Sequence, residues 1–223
     1  MKKKINKLRV AIDGPAASGK NALAKQIAKK YKLLHLDSGK LYRYFALQVH
    51  QSKDQKINYT KLKQALKKLT LKKLTDKRLT TEPVTKIASI ISKKKRIRQM
   101  LKKVQHDLAY NPPKKFRGSI LDGRDIGTVI MPDAHVKVYL TASLNVRAVR
   151  RYKEYKKMGI KTTLSKVKSD IKKRDYEDTH RKISSLKPAK DAVLLDSSFY
   201  NTCLLYTSPS PRDRTRSRMP SSA

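Results

Sequence analysis

Seven residues near the N-terminus, Gly14, Pro15, Ala16, Ala17, Ser18, Gly19 and Lys20, fit the spacing G-x-x-x-x-G-K. They follow a short apolar run at 8–13 and precede Leu23, Ile27 and Tyr31, whose fourfold spacing predicts a helix. A glycine-rich turn in that context lets backbone N–H groups close around phosphate oxygens, and the helix N-terminus adds partial positive charge. Lys20 supplies a mobile cation for the outer phosphates. A hydroxyl able to hold Mg2+ normally follows this lysine, but here Asn21 and Ala22 follow. The amide oxygen of Asn21, or a water, would have to stand in.

The elements that must position this loop are legible in outline. Residues 8–13 read as a buried strand closed by Gly14-Pro15. Residues 35–37 read as a second strand, and Ser38 is expected to cap a helix running towards Gln51. Amphipathic helices are predicted around Tyr59, Leu62, Leu66 and Leu69, around Val84, Ile87 and Ile91, and around Ile97, Leu101, Val104 and Leu108. Pro112-Pro113 stops the last of these. Strands follow at 119–122 and 136–140, helices at 144–157 and 164–178, and a final strand at 192–196. Strands alternating with helices predict an α/β fold with a parallel sheet covered on both faces.

The chain has 223 residues and a formal charge of +38. Its length suits one domain with a substantial core and a small insertion. The lysines are scattered and not interleaved with stacking aromatics, so a solvated basic surface is expected rather than a specific nucleic-acid site. No apolar run approaches a membrane span, and the run at 8–12 is too short for a signal-peptide core. A cytoplasmic location is therefore expected. The single cysteine, Cys203, excludes an intramolecular disulfide and a cysteine metal site. From Cys203 onward the composition changes to an Arg/Ser/Pro-rich stretch that resembles the conceptual translation of a sequencing adapter. Residues 203–223 are accordingly expected to be a non-native tail, a genuine unstructured tail being the alternative. The tail holds four arginines and one aspartate, so the basicity belongs to the rest of the chain.

Several separated motifs stand out: Val10 to Pro15, Leu36-Asp37-Ser38-Gly39 with Leu41-Tyr42-Arg43, and Leu121-Asp122-Gly123-Arg124-Asp125-Ile126-Gly127-Thr128. Arg174-Asp175 with Asp178 and Arg181, and Asp191 to Asp196, complete the set. Together they resemble bacterial cytidylate kinases. The resemblance implies a P-loop nucleoside monophosphate kinase at 1–202, with a CMP-binding insertion at about 52–95 and a lid at about 147–182. It implies phosphoryl transfer from ATP, with Mg2+, to CMP or dCMP by a monomer.

The resemblance places ATP on Gly14 to Ala22. It gives Lys20, Arg124, Arg174 and Arg181 catalytic positions. It assigns CMP to Ser38, Arg43, Ser89, Arg98, Asp122, Arg124, Asp125, Arg174, Asp178 and Arg181, with Ser89, Arg98 and Asp125 reading the base. No direct metal ligand is expected, although Asp37 and Asp122 could hold Mg2+ through water, Asp37 being the better placed. Asp13, Asp37 and Asp122 could instead cap loops. His106 is expected to be helix surface or packing, and Arg147 and Arg151 a solvated helix face, although an arginine there could also face ATP. Departures from the family pattern are Asn21-Ala22, a shortened lysine-rich insertion, Thr81-Glu82-Pro83 and Ser184-Ser185-Leu186. The rival readings are a kinase for another small acceptor, a basic nucleic-acid-binding P-loop protein, and an inactive relative.

Overall fold

The computed structural model describes residues 7–199 except 53 and 55; residues 1–6 and the tail at 203–223 lie outside that range. Five strands, β1 (Leu8–Asp13), β2 (Leu34–Asp37), β3 (Gly118–Gly123), β4 (Val136–Thr141) and β5 (Val193–Asp196), form one sheet in the order β2-β3-β1-β4-β5. Every pairing is parallel. Crossovers are made by α1 (Lys20–Tyr31), α2 (Ser38–His50), α3 (Tyr59–Lys67), α4 (Glu82–Ile91), α5 (Lys95–Tyr110), α6 (Leu144–Lys157) and α7 (Leu164–His180).

Alternation along the strands divides the apolar residues between two faces. Val10, Ile12, Ile120 and Leu140 pack with Leu23, Ala24 and Ala28 of α1. Ala11, Leu36 and Leu121 join the larger core that holds Phe45 of α2, Ile97 and Leu101 of α5, and Leu62, Val84 and Ile91 of the 52–95 segment. Phe45, Ile97 and Leu101 are fully buried, and each such side chain contributes roughly 1.5–3 kcal/mol through burial. A third, small cluster of Ala148, Val167 and Ile171 lies between α6 and α7.

The α/β architecture agrees with the sequence reading, and most element ends shift by one or two residues. One cap differs. Asp37, not Ser38, is the N-cap of α2, and its carboxylate accepts from the Lys40 backbone N–H at 3.3 Å. Ser38 is the first helical residue, because the carboxylate one position earlier already satisfies the exposed N–H. Periodicity also gave no sign of the 3-10 turns at Leu71–Thr75 and Lys77–Thr80 or the π-turn at Ile126–Ile130. These segments are too short to repeat an apolar period.

Candidate active site

The strands end together at one edge, and the residues just past them surround a cavity of about 640 Å³. That size suits a small-molecule site. The phosphate loop leaves β1 through Gly14, whose φ of +148° favours glycine. A Cβ there would stand 2.0 Å from the Leu140 carbonyl oxygen, so the loop could not pass β4 with any other residue. Gly19 precedes α1 in the left-handed region, with no capping side chain and no acid in the first turn. The first N–H groups of α1 are thus left for an anion.

Lys20 is buried. Its ammonium donates to the Pro15 carbonyl at 2.7 Å and to Ser18 Oγ at 3.3 Å. Burial, then the Arg124 guanidinium, push its pKa well below the ordinary lysine value. Asp13 accepts from the backbone N–H groups of Ile126 and Gly127 at 2.8 and 2.7 Å, tying β1 to the turn after β3. Burial pushes its carboxyl up to about 6.

Asp37 and Asp122 are register partners on β2 and β3. Asp37 is heavily engaged: Oδ2 accepts from Arg43 at 2.9 Å and from Asn21 Nδ2 at 3.2 Å, and Oδ1 takes the cap bond. A carboxylate only accepts, so the amide nitrogen of Asn21 faces Asp37 and its oxygen is the atom left for the cavity it lines. Asp122 is buried and lines the same cavity. Burial raises its pKa, the His35 hydrogen bond at 2.6 Å opposes that, and Asp37 adds to the rise.

Arginines crowd the other wall. Arg124 donates to Asp178 at 2.7 Å and to the Gly14 carbonyl at 2.6 Å, so it joins the phosphate loop to α7. Arg181 reaches Asp178 at 3.3 Å and the Ser184 carbonyl at 2.5 Å. Burial works to raise Asp178, but Arg124, Arg174 and Arg181 outweigh it and hold the carboxyl below its usual range. Arg174 presents accessible surface to the cavity. Enclosure by the walls, then Arg124, push it down to about 10. At the far end Arg98 donates to Asp125 at 2.6 Å, and both are buried. Its guanidinium lies 5.7 Å from the ring centre of Tyr42, whose hydroxyl burial pushes up to about 12. Arg43, Arg98 and Arg181 each keep one buried N–H nitrogen without an acceptor among the described residues.

Ala16 to Ala22, Asp37, Ser38, Arg43, Arg98, Asp122, Arg124, Asp125, Arg174, Asp178 and Arg181 therefore line one cavity. Gly14 and Pro15 stand behind it and offer their carbonyls to Arg124 and Lys20. Ser89 is not among the lining residues; α4 and its end present Thr85, Ala88 and Ser92 instead. Tyr42, Thr80, Arg150 and Glu154 also line the cavity and were not singled out from sequence, although Tyr42 lies within the Leu41-Tyr42-Arg43 motif. Arg147 corrects the expectation of a solvated helix face. It is buried, and it donates to the Ala142 and Ala16 carbonyls at 2.8 and 3.3 Å and to Asp175 at 2.5 Å. Ala16 and Asp175 lie far from it in sequence, where helical spacing cannot show them. Arg151 lines the cavity and pairs with Glu154 at 3.0 Å. His106 is exposed and stacks on Tyr110 with ring centres 4.2 Å apart.

Residues 10–202 match the cytidylate kinase family. The chain belongs to that family. Among cytidylate kinases it is 40% identical to that of Streptococcus mutans serotype c over 207 residues, covering 86% of this chain and 89% of the relative. It is 44% identical to that of Bradyrhizobium diazoefficiens over 189 residues, covering 85% and 87%. Ligilactobacillus salivarius has a cytidylate kinase 38% identical over 208 residues, covering 87% and 91%. The cytidylate kinase match thus spans both the phosphate loop and the arginine wall.

Proposed function

We propose that the chain transfers the γ-phosphoryl group of ATP to CMP or dCMP, giving ADP and CDP or dCDP. The observation that carries this reading is the arginine set lining one cavity with an uncapped phosphate-loop helix. Three of its members keep a buried donor unpaired. Leaving such a donor unsatisfied costs about 1–3 kcal/mol, and an anionic ligand removes that cost.

ATP lies on Gly14 to Ala22. Lys20 exchanges its Pro15 and Ser18 contacts for phosphate oxygens. The acceptor phosphate lies against Arg43, Arg124, Arg174 and Arg181, beside Ser38 and Asp178. The cytosine end meets Arg98 and Asp125. Asp125 accepts from the exocyclic amine of cytosine and Arg98 donates to its ring acceptors; uracil lacks that amine. Thr85 or Ser92 supplies the hydroxyl for which Ser89 is too far back. An acceptor phosphate oxygen attacks the γ-phosphorus; that O–P bond forms as the bond to the β-phosphate oxygen breaks, and ADP leaves. No proton has to be removed from the attacking oxygen, so the work of the protein is positioning and charge neutralisation.

The donors beside the loop fit a magnesium ion, which favours hard oxygen ligands. They are the Asp122 carboxylate and the Asn21 amide oxygen, with Asp37 already engaged. When bound with ATP, Mg2+ neutralises charge developing on the transferred phosphoryl oxygens. Residues 52–95 form the acceptor-binding insertion and 147–182 the lid, whose closure keeps water from the γ-phosphate. The enzyme acts as a cytoplasmic monomer, without a specific nucleic-acid partner. No described helix is long and apolar enough to cross a membrane.

A coupled ADP-release assay with ATP, Mg2+ and a monophosphate panel tests the reading. Turnover is expected with CMP and dCMP, weaker with UMP and absent with AMP. ATP binding without CMP turnover, or equal rates with AMP, overturns it.

A further inference from the structure

His35 lies outside the cavity lining, yet it bonds to a residue that forms it. It is on β2 two residues before Asp37, and its register partner on β3 is Ile120, two residues before Asp122. Strand alternation puts His35, Asp37, Ile120 and Asp122 on one face of the sheet. The imidazole therefore reaches across one strand spacing and one step along, and Nε2 meets Asp122 Oδ1 at 2.6 Å.

The two carboxylates at these strand ends are treated differently. Asp37 has donors on both oxygens: the Lys40 N–H on one, Arg43 and Asn21 on the other. Asp122 has His35 on Oδ1, and no donor reaches Oδ2 among the described residues. Asp122 is thus the carboxylate with an oxygen to spare beside Lys20 and the amide of Asn21. A carboxylate on a short side chain turns about its last bond unless something holds it. The bond from His35, together with burial, fixes its plane. When Asp122 is ionised its carboxylate can only accept, and the tautomer of His35 with its proton on Nε2 makes this bond.

We propose that His35 is a positioning residue for the divalent cation that accompanies ATP: it binds Asp122 Oδ1 so that Oδ2 is presented to the cation's water shell. The inference rests on the kinase reading above. His35 touches neither nucleotide, and the device resembles the outer partners that orient carboxylates and imidazoles around metal sites. Its placement compensates in part for Asn21, which stands where a hydroxyl would otherwise meet the ion.

The test uses the whole chain with His35→Leu, which removes the donor, and His35→Gln, whose amide nitrogen can occupy the position of Nε2. Two quantities are read: the Mg2+ concentration giving half-maximal CMP phosphorylation, and Mn2+ binding to the protein–ATP complex by water-proton relaxation. His35→Leu is expected to raise the half-maximal Mg2+ concentration and the Mn2+ dissociation constant by roughly tenfold, the lower end of outer-partner effects, with the KM for CMP within about twofold of the parent. His35→Gln is expected to return both to within about twofold. Unchanged cation dependence in His35→Leu overturns the proposal. So does an equal loss in both variants with a rise in the CMP KM, the mark of a packing role. If the parent chain shows no CMP turnover, the kinase reading fails, while Mn2+ binding still reports on His35.

Discussion

The two segments that flank the cavity are built to different standards. The acceptor-side insertion sends Leu62, Leu74, Leu79, Val84, Ala88 and Ile91 into the main core, continuous with Phe45 and Leu121. The α6–α7 pair has three buried apolar residues of its own, Ala148, Val167 and Ile171, with Ala17 of the phosphate loop packed against them. Its other ties are polar: Arg147 to the loop and Asp175, Arg124 to Asp178, and Lys93 to Glu177 at 3.1 Å. Apolar contacts shared with a large core open only when the domain opens, whereas polar ties to a ligand site can be exchanged for the ligand. On the proposed reading, the difference assigns movement to the lid and a fixed frame to the insertion.

A matched pair of substitutions is the sharpest way to break this contrast. Ile91→Ala should cost about 2–5 kcal/mol of global stability, seen as a lowered denaturant midpoint. Ile171→Ala removes the same atoms, yet it should leave that midpoint nearly unchanged and accelerate amide exchange only in α6 and α7. Equal shifts of the midpoint would end the distinction.

Asp13 belongs to the fixed frame, and its effect should be global. Its folded-state value of about 6 lies above the ordinary aspartate value of 3.8, so its contribution to stability is complete below pH 3.8 and lost as pH rises through 6. Asp13→Asn should therefore flatten the fall in melting temperature between about pH 3.8 and 6, a contribution on the order of 3 kcal/mol over that span. A slope identical to the parent's would show that the carboxyl does not titrate there.

Arg147 tests the lid side. Arg147→Met keeps bulk but strands Asp175, loosening the lid by about 1–3 kcal/mol. Hydrolysis of ATP in the absence of acceptor should rise by roughly tenfold, the equivalent of about 1.4 kcal/mol. A variant with the parent's ATPase rate and α7 exchange would refute the tie. The smallest effect belongs to Lys93→Ala. An exposed ion pair contributes about 0.2–1 kcal/mol, so α7 exchange should quicken slightly in low salt and match the parent in high salt.

The sheet and the helix after the phosphate loop were the more legible part of the sequence. β1, α1 and β4 carry clear apolar periods, with glycine or proline beside them, and the structure places them close to the predicted positions. The cavity was legible through types and motifs, which brought Lys20, Arg43, Arg98, Arg124, Arg174 and Arg181 to one place. What sequence withheld was pairing at a distance. Arg147 looked like surface because its partners are Ala16 and Asp175. Asp37 looked like the better cation neighbour because nothing local showed that Arg43 and Asn21 would engage it. The choice of Thr85 and Ser92 over Ser89 depends on the rotation of α4, which a one-residue difference in phase decides.

The crowd of guanidinium groups around Asp178 has a consequence for handling the protein. A self-repelling cluster with unpaired buried donors makes the ligand-free fold dependent on its solvent. Any small oxyanion that enters acts as a folding ligand, and one at a hundred times its dissociation constant adds about 2.7 kcal/mol. The melting temperature is thus a function of buffer choice, higher in phosphate or sulfate than in chloride at equal ionic strength. Thermal-shift screens for nucleotides read against a phosphate background would understate every true binder.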